Sequence, residues 1–304
     1  MTGHLSGKTI AVTGAGNGIG RAVALLCAEE GANVVVADYG VQLDGSDPSS
    51  EVADEVVEQI KGSGGSAISL AGDVSESEVG KRIVETAIQS WGRIDGIACA
   101  AGILRERMLF NMTDEEFDDV VRVHLRGHFS VYRAASAVMR KQEGGGSLLG
   151  FTSGAFVAST AQPNYSAAKG GIVSLTKSAA FALKRYGVNA NCIAPAAMTR
   201  MSENVPFEIE AGAPEDIAPL AAFLLSDAAK EITAQIYTCT GKRIAVWNQP
   251  AEIREMTANN GEAFSFEEIA ERLDNDIGVE ELPLFADLER RMKEMAEKTE
   301  QGND

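Results

Sequence analysis

A doubly wound α/β fold, with a parallel sheet covered by helices on both faces, is predicted by three observations. Apolar, β-rich runs alternate with helical patterns from the N-terminus onward. The runs are almost continuously apolar, as strands buried on both faces require. The first run leads through a glycine-rich turn, Thr13-Gly14-Ala15-Gly16-Asn17-Gly18-Ile19-Gly20, into a helical pattern. A β-α-β succession of this kind builds a parallel sheet with right-handed crossovers.

The elements follow in order. Strands are expected over residues 9–13, 33–38, 66–71, 96–99, 147–153 and 189–194, with a seventh over 235–240. Helices are expected over 18–30, 51–63, 75–91, 114–141 and 163–185. Thr113 with Glu116 makes a capping box that opens the fourth helix. Residues 40–50 form a polar loop longer than most connections of this type. Residues 1–244 are thereby read as a dinucleotide-binding domain and 245–304 as an acidic extension packed on the body or on a neighbouring subunit. In the extension, Ser265 and Glu268 suggest a second capping box, with Phe266, Ile269 and Leu273 on one helical face. Leu284, Leu288, Met292 and Met295 suggest a further amphipathic helix.

Composition narrows the function. The chain has 304 residues, 45% of them apolar, enough for a substantial core. The net charge of −17 argues against nucleic acid, whose phosphates need a basic surface. Residues 245–304 carry 16 acidic and 6 basic side chains, so the excess is concentrated there. Cys27, Cys99, Cys192 and Cys239 are scattered without metal-ligand spacing and read as reduced core residues. No metal site is expected. The polar N-terminus and the lack of an apolar run near the ~20 residues that span a bilayer lead to an expected cytoplasmic location, away from membranes.

Four features carry chemistry. The glycine turn, with spacing G-x-x-x-G-x-G through Gly14, Gly18 and Gly20, lets a backbone approach a pyrophosphate at a helix N-terminus. Asp38 ends the second strand, where a carboxylate accepts from adenosine ribose hydroxyls and repels a 2′-phosphate. No basic residue stands at Ala15, Asn17 or Tyr39, which favours NAD over NADP. Tyr165 and Lys169, four residues apart, share a helix face, and Thr152-Ser153 precedes them by about a dozen residues.

In this order and at these spacings, the features resemble the short-chain dehydrogenase/reductase family, whose fold is Rossmann-type. The resemblance implies Tyr165 as the proton-transferring group and Lys169 as the cation that lowers its pKa and binds the nicotinamide ribose. It implies Ser153 as the hydroxyl that holds the substrate oxygen, with Thr152 as the alternative. It places Gly14, Asn17, Gly18, Ile19 and Gly20 at the cofactor phosphates and Asp73 and Val74 near the adenine. Ala100 and Gly102 belong to Cys99-Ala100-Ala101-Gly102, which stands where many relatives carry N-N-A-G. Pro195 and Thr199 match the segment that holds the nicotinamide amide, with Ala196 in place of its glycine. His124 stands where many relatives have asparagine, either as a core histidine or as a member of a water relay behind Lys169 that passes protons near neutral pH.

Gly102-Ile103-Leu104-Arg105-Glu106-Arg107 and Val123-His124-Leu125-Arg126-Gly127 are similar to the (3R)-hydroxyacyl-CoA dehydrogenase branch, of the multifunctional enzyme type 2 kind. That branch implies NAD-dependent interconversion of a 3-hydroxyacyl-CoA and its 3-oxo form, by a homodimer or homotetramer. Arg105 and Arg107 are candidates for the phosphates of the CoA thioester, or else partners of neighbouring carboxylates. A hydroxysteroid or other secondary-alcohol dehydrogenase, a 3-oxoacyl thioester reductase and a non-catalytic nucleotide-binding regulator are the alternatives.

Overall fold

The apolar runs become one sheet because each is flanked by a helix that covers it. The computed structural model describes residues 3–199, 211–259, 261, 263–280, 282–285 and 290. Met292, Met295 and Leu288 of the second expected tail helix lie outside the described residues. By contact the chain divides into two units, Met1–Trp247 and Asn248–Asp304.

In the first unit the strands are β1 (Thr9–Thr13), β2 (Asn33–Asp38), β3 (Ser66–Ala71), β4 (Gly96–Cys99), β5 (Gly146–Phe151), β6 (Val188–Pro195), β7 (Ile236–Cys239) and β8 (Ile244–Val246). Their order in the sheet is β3-β2-β1-β4-β5-β6-β7-β8. The first seven pair in parallel, and only β8 runs antiparallel, against β7. The order reverses between β1 and β4, which opens a crevice at the carboxyl ends of those strands. Among the described residues the sheet has eight strands, the seven expected from the sequence and β8. The additional strand is three residues long, so its sequence signal is weak.

The helices of this unit are α1 (Gly18–Glu29), α2 (Glu51–Gly62), α3 (Ser77–Trp91), α4 (Asp114–Val121), α5 (Gly127–Met139), α6 (Pro163–Leu183) and α7 (Pro214–Leu225). Helix α7 was not expected, although Pro214 at its start, two acids in its first turn and the apolar run behind them are ordinary helix signals. The two faces of the sheet carry separate cores. One holds Val12, Val23, Val34, Leu149 and Leu224, the other Ile83, Ile97, Val131, Leu148 and Met139. All four cysteines are free and buried, as expected of core residues. No described helix is long and apolar enough to cross a membrane.

The expected helix over 114–141 is interrupted. The capping box at its start is present: the Thr113 hydroxyl accepts from the Glu116 N–H, and Glu116 accepts from the Thr113 N–H. After Val121, a π-helical turn covers Arg122–Arg126 before α5 resumes, and the Gly127 N–H reaches back to the Arg122 carbonyl. Helical spacing alone does not register the one extra residue in such a turn, which recurs at functional sites. The turn sends Arg122 outward to Asp73 and Ser75 and His124 into the core.

In the second unit, α8 (Phe266–Arg272) is capped by Ser265, whose hydroxyl accepts from the Glu268 N–H at 3.1 Å. The box is not reciprocal, because the Glu268 carboxylate instead accepts from Asn259 N–H and from Arg272.

His124 and His128 are both almost fully buried. Burial first, and the charge of Lys169 second, hold the pKa of each below the usual histidine range, that of His128 at about 3. Unfolding exposes these rings to protons, so between pH 6.5 and 4.5 the unfolded chain binds more protons than the folded one. Stability should fall with falling pH in that window by about 1.4 kcal/mol per pH unit for each histidine that stays neutral. Replacing His128 with glutamine should flatten this slope, read from urea unfolding at a series of pH values; an unchanged slope would assign it to other groups.

Candidate functional site

The site begins where β1 ends. The backbone at Gly14 has φ +66°, and a Cβ there would lie 2.7 Å from the backbone of Ala101, so only glycine admits this approach. Ala101 follows β4, whose end is tied to β1 by the Ala100 N–H on the Thr13 carbonyl. Helix α1 then starts at Gly18 with no side-chain cap and no acid in its first turn. Its free N–H groups and positive dipole end face a cavity of about 500 Å³.

That cavity gathers most of the residues singled out in the sequence. Gly14, Asn17, Gly18, Ile19, Gly20, Asp38, Asp73, Val74, Ala100, Gly102, Thr199 and Arg105 line it. Asp38 is held in place at its mouth: one oxygen accepts from the Gly16 N–H and the other from the Gly40 N–H, both at 2.7 Å. Asp73 accepts from the Ser75 N–H and from Arg122. Burial pushes the Asp73 carboxyl up, but these partners outweigh it and hold the group below its ordinary value. The uncapped helix end, the glycine approach and the anchored Asp38 fit a dinucleotide: phosphates on the N–H groups, adenosine ribose on the carboxylate. Pro195, the end of β6, does not line this cavity.

Tyr165 and Lys169 lie beyond Gly102. A Cβ on Gly102 would meet the His124 ring at 2.1 Å, so this glycine lets the histidine fill the space between cavity and tyrosine. The His124 ring stands edge-on to the Tyr165 ring, 5.1 Å between centroids. Its Nε2 faces the Ile103 backbone, 2.9 Å from the carbonyl oxygen, and its Nδ1 is buried without a partner. Burial first, and the charge of Lys169 second, lower its pKa well below the usual histidine range. The His124 carbonyl is itself occupied, accepting from His128 Nδ1 at 2.7 Å. His128 had no role in the sequence reading, though it sits one helical turn beyond His124.

Lys169 is buried, its ammonium donates to the Phe151 carbonyl at 2.6 Å, and it lies 5.2 Å from the centre of the Tyr165 ring. Burial brings its pKa down to about 7. Burial raises the phenol to about 12, and the neighbouring Ser153 hydroxyl pulls against that rise.

The two hydroxyls before Tyr165 face different partners. Thr152 is buried and donates to the Lys169 carbonyl at 2.9 Å, whereas Ser153 faces the phenol and caps the turn that follows it, accepting from the Ala155 N–H. Asn164, immediately before Tyr165, was missed. It is buried, its amide donates to the Arg105 and Glu116 carbonyls at 2.9 and 2.8 Å, and its oxygen accepts from the Tyr165 N–H at 2.7 Å. It ties the start of α6 to the loop after β4. Arg107 N–H to Ala161 carbonyl, and Gln162 to Glu106, add to the same seam. No local sequence signal could have found these partners, which lie 48 to 59 residues away from Asn164 and Gln162.

The two candidate arginines part company. Arg107 is engaged by Glu116, the residue of the α4 capping box, through Nε and Nη2. Arg105 lines the cavity, pairs with Asp119 at 2.9 Å, and keeps a buried Nε without a partner.

Comparison with known proteins agrees with this geometry. A family profile described as enoyl-(acyl carrier protein) reductase matches residues 14–241. The hydroxyacyl-CoA dehydrogenase ChsB1 of Mycobacterium tuberculosis is 41% identical over 274 residues, 85% of each chain. Peroxisomal multifunctional enzyme type 2 of Mus musculus is 42% identical over 230 residues, which are 75% of this chain and 31% of that protein. The chain thus spans under a third of that longer relative. A crystal structure of a short chain dehydrogenase from Mycobacterium avium superposes with a TM-score of 0.80 at 37% identity, covering 92% of this chain and 98% of that one. Several similar proteins are peroxisomal by name, which overturns the cytoplasmic location expected above. Buried reduced cysteines and a polar N-terminus do not distinguish the cytosol from an organelle. The matched profile, the identity to relatives and the glycine turn, Ser153, Tyr165 and Lys169 in their expected order agree: the chain belongs to the short-chain dehydrogenase/reductase family.

Proposed function

We propose that the protein is an NAD-dependent oxidoreductase interconverting a 3-hydroxyacyl-CoA and its 3-oxoacyl-CoA, as a homodimer or homotetramer. The observation that carries the reaction is the Ser153, Tyr165 and Lys169 cluster next to a cavity lined by Asp38. The 41% identity to a hydroxyacyl-CoA dehydrogenase supports the substrate class. Exposed Phe117 and Phe129 on α4 and α5 support self-association.

Ser153 would hold the substrate oxygen, and Tyr165 would exchange the proton on that oxygen. A phenol held near 12 is protonated at neutral pH and suits the donor role toward a 3-oxo group. Taking a proton from a 3-hydroxyl requires positive charge nearby, and Lys169, which titrates near neutrality, is the protein's source of it. Bound nicotinamide supplies the hydride exchange and, when oxidised, a second positive charge. Asn164 would hold Tyr165 at the helix start, and Asp38 would hold the adenosine ribose.

Three measurements test this reading. NAD should have the higher kcat/KM, because a 2′-phosphate against Asp38 is disfavoured by at least about 1 kcal/mol; Asp38→Asn should narrow the gap. A wild-type preference for NADP would overturn the role of Asp38.

Tyr165→Phe should fold, retain NAD binding and lose about 10²–10⁴-fold in turnover. Ser153→Ala should reduce kcat more than Thr152→Ala, whose loss should appear in the melting temperature, since its hydroxyl serves the Lys169 carbonyl. The opposite ranking would transfer the substrate contact to Thr152.

Arg105→Ala should raise KM for an acyl-CoA several-fold at low salt, with little change for NAD, while Arg107→Ala should act on stability through α4. Equal efficiency with a CoA ester and with a pantetheine analogue lacking the nucleotide would favour the secondary-alcohol alternative.

A further inference from the structure

The last strand of the sheet ends against the turn that carries Ser153. Trp247 follows β8 directly. Its backbone N–H donates to the Ile236 carbonyl at 2.9 Å, and its indole N–H donates to the Thr238 hydroxyl at 2.9 Å. The ring is thus pinned at two points on β7. Its face meets Phe156 edge-on, with 4.8 Å between centroids and 66° between planes. Both rings pack over Ile172, Val173, Cys192 and Ile236, a small core separate from the two that cover the sheet.

Phe156 closes the single 3-10 turn Gly154–Phe156, and Ser153 is its cap. The Phe156 N–H donates to the Ser153 carbonyl at 3.0 Å, and the Ser153 hydroxyl accepts from the Ala155 N–H at 3.2 Å. A turn of three residues has no helix to stabilise it. Gly154, its first residue, meets nothing within 4 Å of where a Cβ would stand, so packing at that end does not hold it. Phe156 is the large apolar side chain of the turn, and Trp247 is its aromatic partner.

We infer that Trp247 is a positioning residue for the candidate active site: through Phe156 it holds the Ser153 turn so that the hydroxyl faces Tyr165. The inference rests on the proposed role of Ser153. It makes the short antiparallel strand β8 part of the reaction machinery, since β8 delivers the indole to the turn. Loss of the indole frees the turn and, with it, the Ser153 hydroxyl that caps it.

The test is a double-mutant cycle in the full-length protein, with kcat and KM measured over a pH series. Trp247→Ala should lower kcat about tenfold, the scale of a misplaced contact group, with KM for NAD changed less than about twofold. Trp247→Phe, which keeps an aromatic edge contact, should recover most of the activity. In a Ser153→Ala background, Trp247→Ala should cost less than about twofold, because the group it positions is already gone. A full tenfold loss in that background, or a wild-type kcat for Trp247→Ala, would overturn the inference. If Trp247→Ala does not fold, Phe156→Leu enters the same cycle and must show the same non-additivity; an additive loss overturns the proposal. An active Ser153→Ala with unimpaired kcat would instead overturn the proposed role of Ser153 itself.

Discussion

The close approach of two backbones at the carboxyl ends of β1 and β4 is the constraint on which the site depends. Gly14 lies against Ala101 with no room for a Cβ, and Gly102 leaves space that the His124 ring fills. The first contact brings the uncapped start of α1 over the crevice where the strand order reverses. The second carries the packing onward from that crevice to the Tyr165 ring. A side chain at either glycine would force the strand ends or the π-helical turn apart, and the cavity and the tyrosine would lose their relation.

Burial sets the electrostatics around this frame. Lys169 is brought down to about 7 and Tyr165 raised to about 12, while His124 and His128 are kept neutral. The common cause is desolvation, which disfavours the charged form of each group. The cluster therefore holds protons on oxygen and leaves its nitrogens poised or neutral. Arg122 and Arg105, at the rim, are tied to Asp73 and Asp119, so the acidic surface does not leave the cavity uniformly negative.

Strand and helix assignments were most legible where the chain is locally consistent. The spans of β1 to β4 and the starts of α1, α2, α4 and α6 follow from apolar runs, a glycine turn, a capping box and a proline at the first helical position. The π-helical turn was not legible, because one inserted residue leaves the apolar spacing on either side intact. Neither was β8, whose two outer residues are exposed and which forms the edge of the sheet, paired with β7 on one side.

The sequence by itself determined the parallel sheet, the glycine turn and Asp38 at the cavity, and the pairing of Tyr165 with Lys169, because each depends on local spacing: glycines in a tight turn, an acid at a strand end, two side chains four residues apart on a helix. Tertiary structure alone decided which hydroxyl faces the phenol, which arginine faces the cavity, and that Asn164, His128 and Trp247 surround the site. Those choices depend on contacts such as Asn164 with Arg105 and Trp247 with Phe156, made between segments far apart in the chain. They also depend on burial, which sets the charge state of each group and is a property of the packed molecule rather than of any stretch of residues.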